Sequence, residues 1–291
     1  MIINARSYGQ LGNRLFLYAH MLAAGKHLGV SVANPCFAEY AHLFPSTASD
    51  LWCRYPVQSS DETPPTLRRR KWLAKTVESS TKLMATVGLR KWPANIVKLK
   101  NGQTYDLASE EFAKLANDSK HLLLSGWLFR SEELLWKYAD EVRAHFRIHT
   151  ANQSRIDQLL QARRNNGDVL IGVHIRQGDY ATFQGGEYFY TTRQYAQMMR
   201  QVSAELSPLN PCFLVCGTGA FSQQDFRGLN VIFGTGQIIE DLYSLAETDL
   251  LIGPPSTFTL WASFFGGAPL SQMNDSDSPV DVSPLRLRRA A

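Results

Sequence analysis

Arg176 and Asp179 come directly after the apolar run Val169–Ile175, and Gly178 between them permits a tight turn. An arginine guanidinium is a planar, permanently charged fork that matches the oxygen atoms of a phosphate. The apolar run predicts a buried parallel strand, and open α/β sheets bind ligands beyond the carboxyl ends of such strands. We therefore expect Arg176 to bind phosphate with support from Asp179. An ion pair that merely closes the strand end is the alternative.

Ser256 and Thr257 follow the predicted strand Leu250–Ile252 and precede the predicted helix Phe258–Phe265. The first N–H groups of a helix lack partners within it, and together with the helix dipole they form an anion-binding site. Two hydroxyls at the same sheet edge as Arg176 would share a diphosphate with it. An ordinary Ser/Thr N-cap is the alternative interpretation.

A third candidate is the loop Gly9–Arg14, which separates a short apolar strand from a predicted helix. It contains neither G-x-G-x-x-G nor a Walker lysine, so it matches no dinucleotide or NTPase fingerprint. Gly12 allows a substrate to approach the backbone, and Asn13 could face that substrate. Considered alone, the loop is a tight strand–helix turn.

Two single residues have a plain and a functional interpretation. Asp241, near the start of a predicted helix, is either a surface carboxylate stabilised by the helix dipole or an acceptor for guanine N–H groups. His174 alternates with apolar neighbours in its predicted strand, which is also typical of a core histidine.

Metal-binding patterns are weak in this sequence. Asp275 and Asp277 have D-x-D spacing, but they lie in a Ser- and Asp-rich tail, which favours a solvated loop. The histidines show no H-E-x-x-H arrangement and the four cysteines no C-x-x-C spacing. We expect no metal, no cofactor and buried thiols.

The run Arg68–Lys71 is most simply a solvated face, and contact with an anionic membrane surface is the alternative. No apolar run approaches the roughly 20 residues that cross a bilayer, and the first residues lack a signal-peptide pattern. We therefore expect a cytoplasmic protein, with any membrane association peripheral and at the inner face. A net charge of +4 suits an anionic substrate. A nucleic-acid partner would need a denser basic patch with exposed aromatics, so we expect none.

Strand and helix patterns alternate along both halves, which predicts an α/β protein with parallel sheets. The predicted strands are Ile2–Ile3, Val30–Asn34, His121–Trp127, Val169–Ile175, Cys212–Cys216, Asn230–Phe233 and Leu250–Ile252. The predicted helices run over about 11–29, 131–146, 192–206, 240–247 and 258–265. A polar stretch over 161–168 predicts a boundary between an N-terminal domain, 1–165, and a C-terminal domain, 166–291.

Four segments carry a family resemblance: Gly9–Ala19 (GQLGNRLFLYA), Gly126–Leu134 (GWLFRSEEL), His174–Tyr180 (HIRQGDY) and Pro255–Ala262 (PSTFTLWA). In this order they resemble the motifs of the α-1,2-fucosyltransferase family, whose superfamily shares the H-x-R-x-G-D hallmark. The match spans residues 9–266. It departs from the family pattern at Arg14, Gln177, Pro255 and Leu260, where the family has Gln, Arg, Asn and Trp.

The resemblance implies a GT-B-like fold of two Rossmann-like, doubly wound domains that face a cleft, with the acceptor on 1–165 and the nucleotide sugar on 166–291. It implies an inverting, metal-independent glycosyltransferase that moves fucose from GDP-fucose to a hydroxyl of a glycan or glycolipid. A different nucleotide-sugar donor, or a catalytically weakened binding protein of the same fold, stays open.

The resemblance also implies roles for individual residues. Arg176, Asp179 and Asn13 would be catalytic, with Arg176 stabilising the departing diphosphate. The remaining expected donor-binding residues are His174 beside the nucleoside, Asp241 at guanine, and Ser256, Thr257, Phe258 and Gly12.

Overall fold

The computed structural model describes residues 1–58, 63–88, 94–165, 169–274 and 279–285. The chain forms two compact units, Met1–His149 and Thr150–Ala291. The helix Thr150–Asn165 thus groups with the second unit, whereas the polar stretch over 161–168 had predicted a boundary after this segment. No helix in the described ranges combines the length and apolar character needed to cross a membrane.

The first unit holds a mixed α/β arrangement. Its strands are β1 (Ile2–Asn4), β2 (Val32–Ala33), β3 (Arg54–Tyr55), β4 (Asn95–Lys98), β5 (Tyr105–Asp106), β6 (Leu122–Ser125) and β7 (Phe129–Arg130). Its helices are α1 (Leu11–Leu28), α2 (Pro45–Ala48), α3 (Leu67–Thr86), α4 (Glu110–Asp118), α5 (Glu132–Lys137) and α6 (Ala139–His145). Five strands form one sheet in the order β3-β2-β1-β6-β4, parallel except for β3, and β5 pairs with β7 separately.

Helix α1 is the buried centre of the first unit, because apolar residues occupy nearly all of its sides. It ends where Gly29 adopts φ 66°, a left-handed conformation in which its N–H bonds back to the carbonyls of Gly25 and Lys26. The single helix predicted over 131–146 is instead two helices, α5 and α6, because Tyr138 leaves helical geometry at φ −113° and ψ 28°.

The basic run lies at the start of α3 and divides into buried and exposed parts. The Arg70 guanidinium is buried and donates to the carbonyls of Ala48 at 2.6 Å and Asp50 at 2.7 Å. It thereby supplies hydrogen bonds to carbonyls at the end of α2, which the helix itself leaves unpaired. The prediction that the whole run forms a surface is wrong for Arg70, whereas Arg68 and Arg69 are exposed.

The second unit is a parallel α/β unit. Its strands are β8 (Leu170–Arg176), β9 (Cys212–Thr218), β10 (Val231–Phe233), β11 (Leu250–Gly253) and β12 (Leu270–Gln272). Its helices are α7 (Thr150–Asn165), α8 (Thr192–Glu205), α9 (Ile238–Ala246) and α10 (Thr257–Gly266). The sheet order is β10-β9-β8-β11-β12, with every pairing parallel. The predicted α/β class with parallel sheets is therefore confirmed.

The long central strand β8 fixes the second unit's core. Val173 and Ile175 enter the core cluster on one face, so Gly172, His174 and Arg176 point to the other. Helix α8 begins at the predicted cap, where Thr191 and Gln194 form a reciprocal capping box. The strand order reverses between β8 and β11, and such a switch point is where open α/β sheets bind ligands.

Candidate functional site

The carboxyl ends of β8 and β11 meet at the switch point of the second sheet. Arg176 ends β8, and the loop after β11 leads through Ser256 into α10. The two strands are direct neighbours, with Ile252 in register with Val173. Sequence segments separated by more than seventy residues are thus brought to one edge, as the sequence predicted.

Arg176 and Asp179 form a bidentate ion pair at this edge. The guanidinium Nε donates to Asp179 Oδ1 at 3.0 Å, and Nη2 donates to Oδ2 at 2.9 Å. The Arg176 side chain is 16% exposed and that of Asp179 is 57% exposed, so the pair lies at the surface and not in the core. Asp179 therefore orients the cation at a position that an anion in solvent can reach.

Tyr180, which the sequence analysis did not include among the site residues, joins the two loops. Its hydroxyl donates to the backbone carbonyl of Pro255 at 2.6 Å, and the Arg176 guanidinium lies over its ring at 5.2 Å. Phe183, 48% exposed, stacks on the Tyr180 ring with 5.2 Å between ring centroids. The tyrosine of the quoted segment His174–Tyr180 was the available signal.

Gln177 occupies the position where the family motif has a second arginine. Its side-chain amide donates to the Tyr190 carbonyl at 3.1 Å and lies against Gly219. This residue therefore ties the strand end to the segment before α8. The site consequently carries one hallmark arginine, Arg176, in place of the two that the resemblance would supply.

His174 is buried beneath the edge and stacks on Phe258, with ring centroids 4.8 Å apart and an interplanar angle of 23°. Gly253 lies close beside it, because a Cβ there would press against Thr259 and against the Cβ and carbonyl oxygen of His174. Burial, with Arg176 nearby, lowers the pKa of His174 to about 3, so the imidazole is neutral. Its Nδ1 has no hydrogen-bond partner among the described residues.

Ser256 is the N-cap of α10 and accepts a hydrogen bond from the Phe258 N–H at 3.1 Å. The plain N-cap interpretation is therefore present in the structure. It does not exclude anion binding, because a hydroxyl that accepts one bond can still donate its own proton. Thr257 is the first helical residue and is half-buried beside Ser256.

Asp241 lies in the first turn of α9 and is buried, not on the surface. Its Oδ1 accepts the Gly236 N–H at 3.2 Å, and only a glycine fits at position 234 between this carboxylate and the Cys216 thiol. Burial raises the pKa of Asp241 to about 6, although backbone N–H groups partly oppose the shift. The surface-carboxylate interpretation is therefore wrong.

The Asp241 carboxylate and His174 belong to one region of the second unit. The Cys216 thiol and the Asp241 carboxylate both lie against Gly234. Cys216 is also paired in register with His174 on the neighbouring strand. Residues paired across parallel strands point their side chains to the same face. A buried carboxylate, a neutral imidazole stacked on Phe258 and the Arg176 cation therefore border the same face and edge of the sheet.

Gly12 and Asn13 belong to the first unit, at the start of α1. Gly12 is buried, and Asn13 packs so closely against Gly9 that a Cβ on Gly9 would collide with it. Arg14 turns away into the unit, where it pairs with Glu39 at 2.9 Å and donates to the Cys36 carbonyl at 3.2 Å. The side chains of Asn13 and Arg14 thus hold this loop against itself and against the rest of the unit.

The described ranges contain no group of three or more His, Cys, Asp or Glu side chains placed to hold a metal ion. Asp275 and Asp277, the D-x-D candidate, lie outside the described residues. All four cysteines are buried free thiols, as the sequence predicted.

No protein-family model matches the sequence, and no curated protein matches it. Among solved structures, the chain is similar to a mutant of Arabidopsis thaliana FUT1 in complex with GDP, with a TM-score of 0.59 and 15% identity over 94% of this chain and 70% of that chain. It is also similar to the fucosyltransferase NodZ from Bradyrhizobium, with a TM-score of 0.54 and 16% identity over 96% of this chain and 95% of that chain. The structure of NodZ α-1,6-fucosyltransferase soaked with GDP-fucose gives a TM-score of 0.54 and 16% identity, and the match covers 97% of this chain and 95% of that chain. The chain therefore has the GT-B-like α/β fold of these fucosyltransferases.

Proposed function

We propose that this protein is a glycosyltransferase that moves fucose from GDP-fucose to a hydroxyl of a glycan or glycolipid, with α-1,2 linkage and inversion at the anomeric carbon. The observation that carries the proposal is the placement of Arg176 at the switch point of the second sheet, beside the start of α10. A guanidinium and a helix N-terminus are two independent anion-binding features at one edge. The Arabidopsis FUT1 mutant, which shares this fold, was solved with GDP, and NodZ was soaked with GDP-fucose.

The proposed chemistry places each donor group against one residue type. The diphosphate would lie between Arg176 and the Ser256–Thr257 start of α10. The guanine N–H groups would donate to Asp241, and Phe258 with the neutral His174 would border the nucleoside. For the first unit we propose that Asn13 contacts the transferred sugar and that Gly12 allows the donor close to the backbone.

The transfer forms a bond from the acceptor oxygen to the anomeric carbon while the bond from that carbon to the β-phosphate oxygen breaks. The acceptor proton goes to solvent, and the pair of electrons from the broken bond stays on GDP. The negative charge that develops on the diphosphate is stabilised by Arg176, whose donors Asp179 holds in position. Donor cleavage of this kind needs no bound metal, so we expect EDTA to leave the rate unchanged; a strict metal requirement would contradict this and return attention to Asp275 and Asp277.

For location we propose a cytoplasmic protein that meets lipid-linked acceptors at the inner membrane face. The contact would use Arg68 and Arg69, which are exposed together with Trp72 on α3. It would not use Arg70, whose buried guanidinium donates to backbone carbonyls.

A thermal-shift screen against GDP, UDP, dTDP and their sugars tests the donor assignment, because a ligand that binds only the native state raises Tm by mass action. We expect GDP and GDP-fucose to give the largest shifts. A larger shift with UDP or dTDP would favour another donor. Parallel assays of GDP-fucose hydrolysis, with and without acceptors, complete the test, since binding without turnover would favour a binding protein.

A further inference from the structure

The first unit has a switch point of its own, between β1 and β6 at the centre of its sheet. The two strands run parallel, with Asn4 in register with Leu124. Arg6 follows β1 by two residues and Trp127 follows β6 by two residues, so both leave the sheet at the same carboxyl edge. A buried hydrogen bond between Asn4 Nδ2 and Asn34 Oδ1 at 2.8 Å holds this edge, and the Arg6 N–H donates to Asn4 Oδ1 at 3.3 Å.

Two guanidinium groups at this edge each lie on an aromatic ring. The Arg6 guanidinium is 4.5 Å from the centroid of the Tyr8 ring. The Arg130 guanidinium, on β7 just beyond Trp127, is 5.6 Å from the centroid of the Trp127 ring. All four side chains are half-buried, so each cation and each ring has one part in the protein and another part that solvent reaches.

Neither cation has a carboxylate partner among the described residues. Within the described ranges the Arg130 guanidinium donates only to its neighbour's carbonyl, that of Phe129, at 3.0 Å. The nearby Glu132 carboxylate is 71% exposed and lies against His20 at 3.6 Å. Burial lowers the pKa of Arg130 to about 10, and the Glu132 carboxylate, which makes no ion pair with it, only partly opposes this shift.

The other arginines that this unit withdraws from full exposure all have acceptors. Arg14 has Glu39, Arg54 has Asp50, Arg143 has Asp140, and Arg70 has backbone carbonyls. A charge withdrawn from water without a partner is costly, so proteins usually provide the missing anion. At Arg6 and Arg130 no carboxylate of the described residues lies within ion-pair distance, and this open bonding capacity points to an anionic ligand.

We propose that this edge, formed by Arg6 on Tyr8 and Arg130 on Trp127, binds an acceptor saccharide that carries a carboxylate or a phosphate. Guanidinium forks match either oxyanion, and aromatic faces provide the apolar lining typical of small-molecule sites. The inference rests on the proposed function, because it names the acceptor class of that transferase, but its test does not require turnover.

Binding is measured by isothermal titration calorimetry with methyl glucuronide, methyl glucoside, methyl glucoside 6-phosphate and inorganic phosphate. We expect at least one acidic sugar to bind about tenfold or more tightly than methyl glucoside, as one charge-assisted hydrogen bond provides. The tighter of the two acidic sugars identifies the anionic group. Equal affinity for neutral and acidic sugars would overturn the proposal, and so would inorganic phosphate binding as tightly as the phosphorylated sugar.

Arg6→Gln and Arg130→Gln should each reduce the preference for the acidic sugar several-fold, and Arg130→Lys should retain part of it. Arg143→Gln removes an equally half-buried arginine that has its own acid, and it should leave the preference intact. A preference unchanged in both Arg6→Gln and Arg130→Gln would overturn the assignment. GDP is titrated into the same preparations, so that GDP binding without acidic-sugar preference refutes this inference alone, whereas the reverse refutes the donor assignment.

Discussion

The two five-stranded sheets of this chain carry an arginine at corresponding places, Arg6 after β1 and Arg176 at the end of β8. In the second unit the cation is already balanced, because Asp179 binds the Arg176 fork through two hydrogen bonds. In the first unit the Arg6 guanidinium lies on the Tyr8 ring, and no carboxylate of the described residues pairs with it. If both proposed sites are correct, a site for a highly charged ligand keeps a carboxylate that orients its arginine, whereas a site for a singly charged ligand leaves its arginines without an ion-paired acid.

The largest expected effect concerns the balanced cation. Arg176→Ala should reduce donor turnover about 100- to 1,000-fold, the range found when one electrostatic stabiliser of a transition state is removed. Stability should change by less than about 1 kcal/mol, since the lost partner is a surface ion pair. Steady-state kinetics and thermal unfolding measure the two effects.

Arg200→Ala is the matched control for that variant, because Arg200 is an exposed arginine of α8 in the same unit. It should leave both turnover and unfolding unchanged. A near-normal rate in Arg176→Ala would show that Arg176 merely closes a strand end.

Arg70 extends the comparison between Arg6 and Arg176 to a buried arginine that binds backbone carbonyls of its own chain. Arg70→Met should lower the free energy of unfolding by roughly 3 kcal/mol, because the carbonyls of Ala48 and Asp50 lose buried hydrogen bonds. The exposed neighbour in Arg69→Met should cost almost nothing. Chemical denaturation of the two variants decides the matter, and equal stabilities would contradict the structural role.

Asp241→Asn separates binding from stability within the second unit. GDP affinity should fall about tenfold to a hundredfold, because the proposed site loses a charge-assisted pair of hydrogen bonds to guanine. Stability at neutral pH should rise, since no cation among the described residues pairs with the buried carboxylate and its raised pKa disfavours the charged form. Calorimetry with GDP tests the expected loss of affinity, and a melting curve tests the expected gain in stability. An unchanged GDP affinity would contradict the proposed contact between Asp241 and guanine.

The pH dependence of GDP binding gives the smallest effect. In the proposed donor site the ionised form of Asp241 accepts from guanine, so the Kd for GDP should rise about tenfold for each pH unit below 6. Unfolding does not explain this loss: a carboxyl group whose pKa is higher in the folded state makes the fold more stable as pH falls through 6 towards 3.8. The dependence of the GDP Kd on pH should vanish in Asp241→Asn. A dependence that persists in this variant would show that another group titrates.

Much of the second unit could be predicted from sequence because its signals are local. The continuous apolar run of β8, the cap at Thr191 and the Ser256 start of α10 each depend on adjacent residues. The meeting of β8 and β11 at one edge followed from the rule for parallel sheets. Helix α7 was missed because its sequence is mostly polar, and it is held by Ile156, Leu160 and an ion pair between Arg155 and Glu240.

What the sequence could not supply depends on distant partners. Arg70 looks like any member of a basic run until the carbonyls some twenty residues upstream fold onto it. Asp241 has the pattern of a surface residue in a first helical turn, and only the packing of Cys216 and Gly234 around it makes it a buried acid. Because such contacts join separate elements, no local pattern encodes them.

The hydrogen bond from the Tyr180 hydroxyl to the Pro255 carbonyl has a thermodynamic consequence. It fastens together two loops that would otherwise have to be immobilised separately when a nucleotide arrives. Part of the conformational entropy of association has thus been lost already during folding, and more of the interaction energy is left to appear as affinity. Tyr180→Phe should accordingly weaken GDP binding by raising the dissociation rate. The substitution removes no atom that touches the nucleotide in the proposed arrangement.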